Sequence, residues 1–176
     1  MRAQCVPPRF VRTSLSTELG FALPSAWQRE GEGVPLRLLV VEDSPGMRAF
    51  VRAALEEGGF AEVVEAANGF EALRLLPRER YDLVVTDINM PDIHGLEVLS
   101  FMRKSEQHAN TPVIIVSTES AQRDRDRGMA LGANDYLTKP FEPAALRAAV
   151  RRVLESTSKR SARPAPPRPS MKRDDK

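Results

Sequence analysis

Four short apolar segments of the sequence each end in residues that could take part in phosphoryl chemistry. In chain order the residues that follow these segments are Glu42 and Asp43, then Asp87, then Ser117 and Thr118, and finally Lys139. Carboxylates can hold a divalent cation, and a lysine can neutralise the charge of a transferred phosphoryl group. A carboxylate can also act as the nucleophile that accepts such a group. The pattern therefore indicates a metal-assisted phosphoryl site, with Asp87 as the candidate nucleophile.

These residues can meet only if the apolar segments are neighbouring strands. The segments are short and apolar on both faces, which is typical of buried strands in a parallel sheet. The predicted strands span residues 36–41, 61–65, 82–86, 113–116 and 134–138. Five strands that alternate with five helical patterns predict a doubly wound α/β fold. The carboxyl ends of parallel strands open onto one crevice, so we expect the polar residues to gather there.

Capping residues predict where the helices begin. Ser44 followed by Pro45 is typical of an N-cap and first helical position. Asn68 is predicted to cap the second helix, with Phe70, Leu73 and Leu76 facing inward. The remaining helices are predicted from Gly95 to residue 104, over residues 120–131 and from Pro143 onward.

Composition and charge divide the chain into three parts. Residues 35–156 are predicted to form the folded domain, preceded by an N-terminal extension of residues 1–34. Residues 157–176 contain seven Lys/Arg and two Asp/Glu, whereas residues 35–156 contain 15 and 19. We expect the proline-rich basic tail of residues 157–176 to be disordered and able to contact polyanions weakly.

The sequence contains no apolar stretch long enough for a membrane span or a signal peptide. Its only cysteine, Cys5, cannot form an internal disulfide. We therefore expect a cytoplasmic protein without a membrane span. The twenty residues after 156 lack the apolar pattern of a helix-turn-helix, so no DNA-binding domain is expected there.

The candidate acids require a counter-ion. Glu42, Asp43 and Asp87 would repel one another in a shared crevice and raise one another's pKa unless a cation intervened. Mg²⁺ suits such oxygen ligands. His94 and His108 lie in loop-like contexts and are expected to be solvated, so the sequence does not indicate zinc.

Taken in order, these motifs resemble the receiver domain of two-component response regulators. The resemblance rests on Glu42-Asp43-Ser44, on Asp87 through Gly95, on Ser117-Thr118-Glu119, on Tyr136 and on Lys139-Pro140-Phe141. It covers residues 35–156 and leaves both termini unexplained. It implies a flavodoxin-like, three-layer fold with five helices around a five-stranded parallel sheet of order 2-1-3-4-5.

The resemblance also implies a role for each motif residue. Asp87 would be the phosphoacceptor, and Ser117 would form a hydrogen bond with the bound phosphoryl group. Lys139 would pair with the phosphoryl oxygens, and a cis peptide bond to Pro140 would direct its ammonium inward. Mg²⁺ would be held by Glu42, Asp43, Asp87 and the backbone carbonyl of Asn89.

The resemblance also implies a conformational switch and a set of residues that control the lifetime of the phosphoryl group. Ser117 and Tyr136 would form a two-state pair that responds to phosphorylation. Asn89, Thr118 and Glu119 would set how quickly the phosphoryl group is lost. The branched Thr118 stands where the family often has a smaller residue, so it could restrict access to that group.

The expected partners are a sensor histidine kinase or a histidine phosphotransfer protein and a target that binds the fourth helix, fifth strand and fifth helix. The chain resembles a stand-alone receiver, a signalling module rather than a dedicated enzyme. One alternative is a phosphotransfer intermediate in a multistep relay. A second is a hydrolase of the haloacid dehalogenase type, which would carry an acid where this sequence has Asn89.

Overall fold

Among the residues that the structure describes, five parallel strands form one sheet. The computed structural model describes residues 36–57, 62–118 and 122–161, so the predicted N-terminal extension and most of the predicted tail lie outside the described residues. The strands are β1 (Arg37–Val41), β2 (Glu62–Ala66), β3 (Leu83–Asp87), β4 (Val113–Ser117) and β5 (Asp135–Thr138). Their order is β2-β1-β3-β4-β5, which confirms the predicted doubly wound topology.

In the part of the chain that the structure describes, five helices cover the two faces of the sheet. They are α1 (Pro45–Glu57), α2 (Gly69–Leu75), α3 (Gly95–Lys104), α4 (Gln122–Ala130) and α5 (Pro143–Ser161). Alternate strand residues point to opposite faces, which divides the buried core into two clusters. One cluster contains buried residues of α2 and α3, and the other contains those of α1 and α5. No helix within the described ranges has both the length and the apolarity needed to cross a membrane.

The predicted caps explain why two of the helices begin where they do. The Ser44 hydroxyl accepts a hydrogen bond from the Met47 amide at 3.4 Å, and Pro45 is the first residue of α1. The Asn68 side chain accepts one from the Glu71 amide at 2.8 Å, directly before α2. These bonds satisfy amides that have no partner inside the first helical turn.

Several boundaries differ from the prediction by a few residues. β2 and β3 each end one residue later than predicted, which places Asp87 inside its strand rather than after it. α5 continues to Ser161, beyond the predicted boundary at residue 156. Polar residues there do not break the helix, because the next proline after Pro143 is Pro164.

The prediction that Phe70 faces inward is wrong. Its side chain is 58% exposed, whereas Ala72 and Leu76 are fully buried. Ala72 and Leu76 are four residues apart and share one helical face, and Phe70 lies nearly opposite that face. The short α2 therefore buries its small residue and exposes its largest one.

The prediction that His108 is solvated is also wrong, although His94 is exposed as expected. His108 is 1% exposed, and its Nε2 atom lies 2.8 Å from the carbonyl oxygen of Leu76. Its Nδ1 atom lies 3.1 Å from the Thr111 hydroxyl. Buried polar groups need such partners, and here the ring satisfies a carbonyl at the end of α2.

Gly95 begins α3 against the backbone of the strand that carries Asp87. A Cβ atom at Gly95 would lie 1.9 Å from the carbonyl oxygen of Asp87 and 2.9 Å from the Thr86 hydroxyl oxygen. Only glycine allows the helix to approach this closely. By contrast, a Cβ atom at Gly46 in α1 would have no neighbour within 4 Å.

We predict opposite effects for alanine at these two helical glycines. Gly95→Ala should lower the free energy of unfolding by about 2 kcal/mol or more, because the methyl group overlaps backbone that cannot move away alone. Gly46→Ala should raise it by about 0.5–1 kcal/mol through the lower entropy of the unfolded chain. Urea denaturation of both variants measures this difference, and equal stabilities would contradict the close approach at Gly95.

Candidate functional site

Four neighbouring strands deliver the predicted residues to one edge of the sheet. Glu42 and Asp43 follow β1, Asp87 is the last residue of β3, and Ser117 is the last residue of β4. Lys139 follows β5 directly. The site lies where the strand order changes direction between β1 and β3, which is where ligands bind in open α/β sheets.

Lys139 joins two of the carboxylates. Its Nζ atom donates to Glu42 Oε2 at 2.6 Å and to Asp87 Oδ2 at 2.6 Å. The three side chains are largely buried, with exposures of 7% for Lys139, 2% for Glu42 and 7% for Asp87. The Lys139–Pro140 peptide bond is cis, as the resemblance implied. A single ammonium therefore sits between acids from two different strands.

Burial and pairing shift the pKa values of two of these groups. Burial raises the pKa of the Glu42 carboxyl by more than the hydrogen bond from Lys139 lowers it. Burial alone would lower the pKa of the Lys139 ammonium, but the hydrogen bonds and the charge attraction of Asp87 and Glu42 together outweigh burial and raise it. The lysine therefore stays charged in neutral solution, where it compensates the carboxylates.

The acidic cluster fits a divalent cation. Glu42, Asp43 and Asp87 each offer a carboxylate oxygen, and these oxygens lie within 4.8 Å of one another. When ionised, three carboxylates beside one ammonium leave two negative charges, which a divalent ion balances. Hard oxygen donors are those that Mg²⁺ prefers. The donor set therefore agrees with the predicted ion.

Asn89 connects the acidic cluster to the hydroxyl of β4. Its backbone amide donates to Asp87 Oδ1 at 3.1 Å, and its side-chain amide donates to the Ser117 hydroxyl at 3.5 Å. Ser117 is fully buried and Thr118 is exposed. Glu119, the third residue predicted to affect the lifetime of the phosphoryl group, lies outside the described residues. That the Asn89 carbonyl binds a metal stays a prediction.

Tyr136 lies on the strand beside Ser117. In the β4–β5 register it stands opposite Ile115, two residues before Ser117. Its side chain is 6% exposed, and the guanidinium carbon of Arg125 in α4 lies 6.0 Å from its ring centroid. That distance is within the range of a cation–π interaction. Tyr136 is thus in contact with α4, on the surface where a target was predicted to bind.

Arg48 was not predicted to belong to the site. Its Nη1 atom donates to the carbonyl oxygen of Glu42 at 2.7 Å and to that of Asp43 at 3.4 Å. The only sequence signal was its place in the first turns of the helix that follows the acidic pair. A long side chain there leans back toward the start of the helix and can reach the preceding loop.

Comparison with known proteins agrees with the fold. Residues 38–151 match the response regulator receiver domain family. The chain is 36% identical over 124 residues to the chemotaxis protein CheY homolog of Campylobacter jejuni, an alignment that spans 70% of this chain and 95% of that protein.

Two solved structures are similar over nearly their whole length. The chemotaxis protein CheY4 of Vibrio cholerae has a TM-score of 0.65 and 35% identity, covering 68% of this chain and 99% of that one. The receiver domain of the sensor histidine kinase PA1611 from Pseudomonas aeruginosa has a TM-score of 0.64 and 31% identity, covering 69% and 99%. That receiver structure has a magnesium ion coordinated in its active-site cleft.

The family match spans most of the chain, and both the strand order and the acidic edge of the sheet agree with it. The chain therefore belongs to the response regulator receiver domains of two-component signalling.

Proposed function

We propose that Asp87 accepts a phosphoryl group from the phosphohistidine of a histidine kinase in a Mg²⁺-dependent reaction. We further propose that this modification switches the binding of a target protein. The observation that carries the proposal is the shared ion pair, in which Lys139 lies 2.6 Å from both Asp87 and Glu42. This pair supports the proposal, because the candidate nucleophile lies beside a positive charge at the edge of the sheet where ligands bind in such folds.

The transfer exchanges one bond to phosphorus for another. A carboxylate oxygen of Asp87 attacks the phosphorus, the phosphorus–nitrogen bond of the donor breaks, and its electron pair leaves with the imidazole nitrogen. Lys139 would then follow the new charge and pair with a phosphoryl oxygen. The Ser117 hydroxyl would donate a hydrogen bond to another phosphoryl oxygen.

Glu42, Asp43 and Asp87 would hold the ion, together with the backbone carbonyl of Asn89. When bound, Mg²⁺ neutralises charge on the transferred group and aligns the attack. The spacing of the three carboxylates supports this assignment. The coordinated magnesium in the similar PA1611 receiver domain supports it as well.

The output surface would consist of α4, β5 and α5. Ser117 and Tyr136 would form the two-state element that responds to phosphorylation. α4 carries the alternating charges Arg123-Asp124-Arg125-Asp126-Arg127, which could set the choice of partner through electrostatic complementarity. Asn89, Thr118 and Glu119 would set how long the phosphorylated form lasts.

The protein would be a signalling module that is modified once per signal, not a dedicated enzyme. A relay intermediate is less favoured, because the curated relative described above is a chemotaxis protein. A hydrolase of the haloacid dehalogenase type is also disfavoured, because Asn89 stands where that class has an acid.

We predict that Asp87→Asn abolishes labelling by acetyl phosphate and Mg²⁺, because the amide is a poor nucleophile. Asp92→Asn is the matched control in the same loop. Asp92 is exposed and has a φ of 68°, a conformation that asparagine tolerates well. Mass spectrometry of the intact variants measures the label, and equal labelling of Asp87→Asn and wild type would refute the assignment.

We predict that Lys139→Met binds Mg²⁺ more tightly than wild type while losing acetyl phosphate labelling. The ammonium and the ion compete for Glu42 and Asp87, but the ammonium is also the counter-charge for the phosphoryl group. Without metal the variant should be destabilised by about 3–5 kcal/mol, because two buried carboxylates lose their partner.

Thermal unfolding over a range of Mg²⁺ concentrations measures the Mg²⁺ affinity and the stability of the lysine variant. Lys104→Met serves as the control, because Lys104 is an exposed residue at the end of α3. Weaker Mg²⁺ binding by folded Lys139→Met would show that the ammonium does not compete with the ion.

We predict that beryllofluoride with Mg²⁺ shifts the ring resonances of Tyr136 but not those of Tyr81. The chain has two tyrosines, and Tyr81 precedes β3 at the opposite end of the sheet. The shift should be smaller in Ser117→Ala, which lacks the proposed hydrogen bond. NMR of the ring protons measures the response, and an unchanged Tyr136 at saturation would argue against a Ser117–Tyr136 switch.

A further inference from the structure

Arg48 in α1 contacts the backbone that carries both acids of the β1 loop. Its Nη1 atom donates to the carbonyl oxygen of Glu42 at 2.7 Å and to that of Asp43 at 3.4 Å. β1 ends at Val41, so these two carbonyls lie beyond the hydrogen-bond ladder of the strand. The guanidinium therefore restrains these two carbonyls just past the end of the strand.

The position of Arg48 is itself restrained. Its Nε atom lies 3.8 Å from Glu65 Oε1 on β2, and its side chain is 19% exposed. The loop has two further restraints, since the Glu42 amide donates to the Ala66 carbonyl at 3.1 Å and the Ser44 amide to Glu42 Oε1 at 3.4 Å. The acidic loop is thus fixed between β2 and the first turns of α1.

We propose that Arg48 is a positioning residue that keeps the carboxylates of Glu42 and Asp43 in register with Asp87 for cation binding. This inference rests on the proposed Mg²⁺ site. Arg48 acts on the backbone of two ligand residues, so its loss lets their side chains move apart without removing a ligand. Removing a residue that orients metal ligands in this way typically weakens metal binding about tenfold or more.

The positioning role and a simple charge effect predict opposite changes in Mg²⁺ affinity when Arg48 is replaced. A positive charge near the cluster repels a cation, so loss of the charge alone would tighten Mg²⁺ binding. Loss of positioning would weaken it. The direction of the change therefore separates the two explanations.

The chain offers a matched control in Arg52. Arg52 lies one turn further along α1 and also contacts Glu65, with Nη1 3.1 Å from Oε2. It also pairs with Glu56 on the same helix, with Nε 2.7 Å from Oε1. Removing Arg52 therefore deletes a positive charge and a Glu65 contact from the same helix but keeps both restraints on the loop carbonyls.

The test is the dissociation constant of Mg²⁺ for the full chain, measured by calorimetry without any phosphodonor, beside the thermal midpoint in EDTA. Arg48→Met should weaken Mg²⁺ binding about tenfold, and Arg52→Ala should stay within about twofold of wild type. Arg48→Lys should recover part of the loss, because an ammonium can still donate to the Glu42 carbonyl. Arg48→Gln, which is polar and neutral, provides the same comparison if Arg48→Met does not fold.

Unchanged or tighter binding by Arg48→Met would overturn the proposal, as would an equal loss in Arg52→Ala. These outcomes leave the Mg²⁺ site intact, because wild type still binds the ion. If wild type bound no Mg²⁺, the metal site of the proposed function would fail, and the role of Arg48 would fail with it.

Discussion

One ammonium shared by two buried carboxylates is the interaction on which the geometry of the site depends. Lys139 follows β5, Glu42 follows β1 and Asp87 ends β3, and the two Nζ–oxygen distances are both 2.6 Å. The backbone amide of Lys139 also donates to the Ser117 carbonyl at 2.7 Å, which ties β4 to the same edge. Two carboxylates this deeply buried would be costly without such a cation. The ion pair therefore connects the ends of β1, β3 and β5 and offsets part of the negative charge of the site.

The same interaction explains how a chemical change at Asp87 could reach the surface. Lys139 lies three residues after Tyr136, so a new partner for its ammonium would act directly on the end of β5. Tyr136 in turn contacts Arg125 of α4 through its ring. Buried elements with two discrete packing arrangements can convert a small local change into a population shift. In the proposed mechanism, phosphorylation changes the partner of Lys139, and Tyr136 communicates that change to α4.

The sequence allowed the fold and the main acids to be predicted because both depend on local patterns. Apolar runs, caps and the residues at strand ends placed Glu42, Asp87 and Lys139 at one edge, and the structure gives the implied strand order. The sequence did not predict which face of the short α2 is buried, so the exposure of Phe70 was missed. His108 and Arg48 were missed because their partners are backbone carbonyls, which have no sequence signature.

If Asp87 carries the phosphoryl group, chemical mapping should locate that group at position 87 of the chain. After treatment with acetyl phosphate and Mg²⁺, borohydride reduction converts an aspartyl phosphate to homoserine, and peptide sequencing by mass spectrometry identifies the residue. Cleavage after Arg80 and Arg103 gives one peptide that contains Asp82, Asp87 and Asp92, so the method distinguishes the nucleophile from its neighbours. Homoserine is expected at position 87 alone. Conversion at Asp82 or Asp92, or no conversion under conditions that label the intact protein, would contradict it.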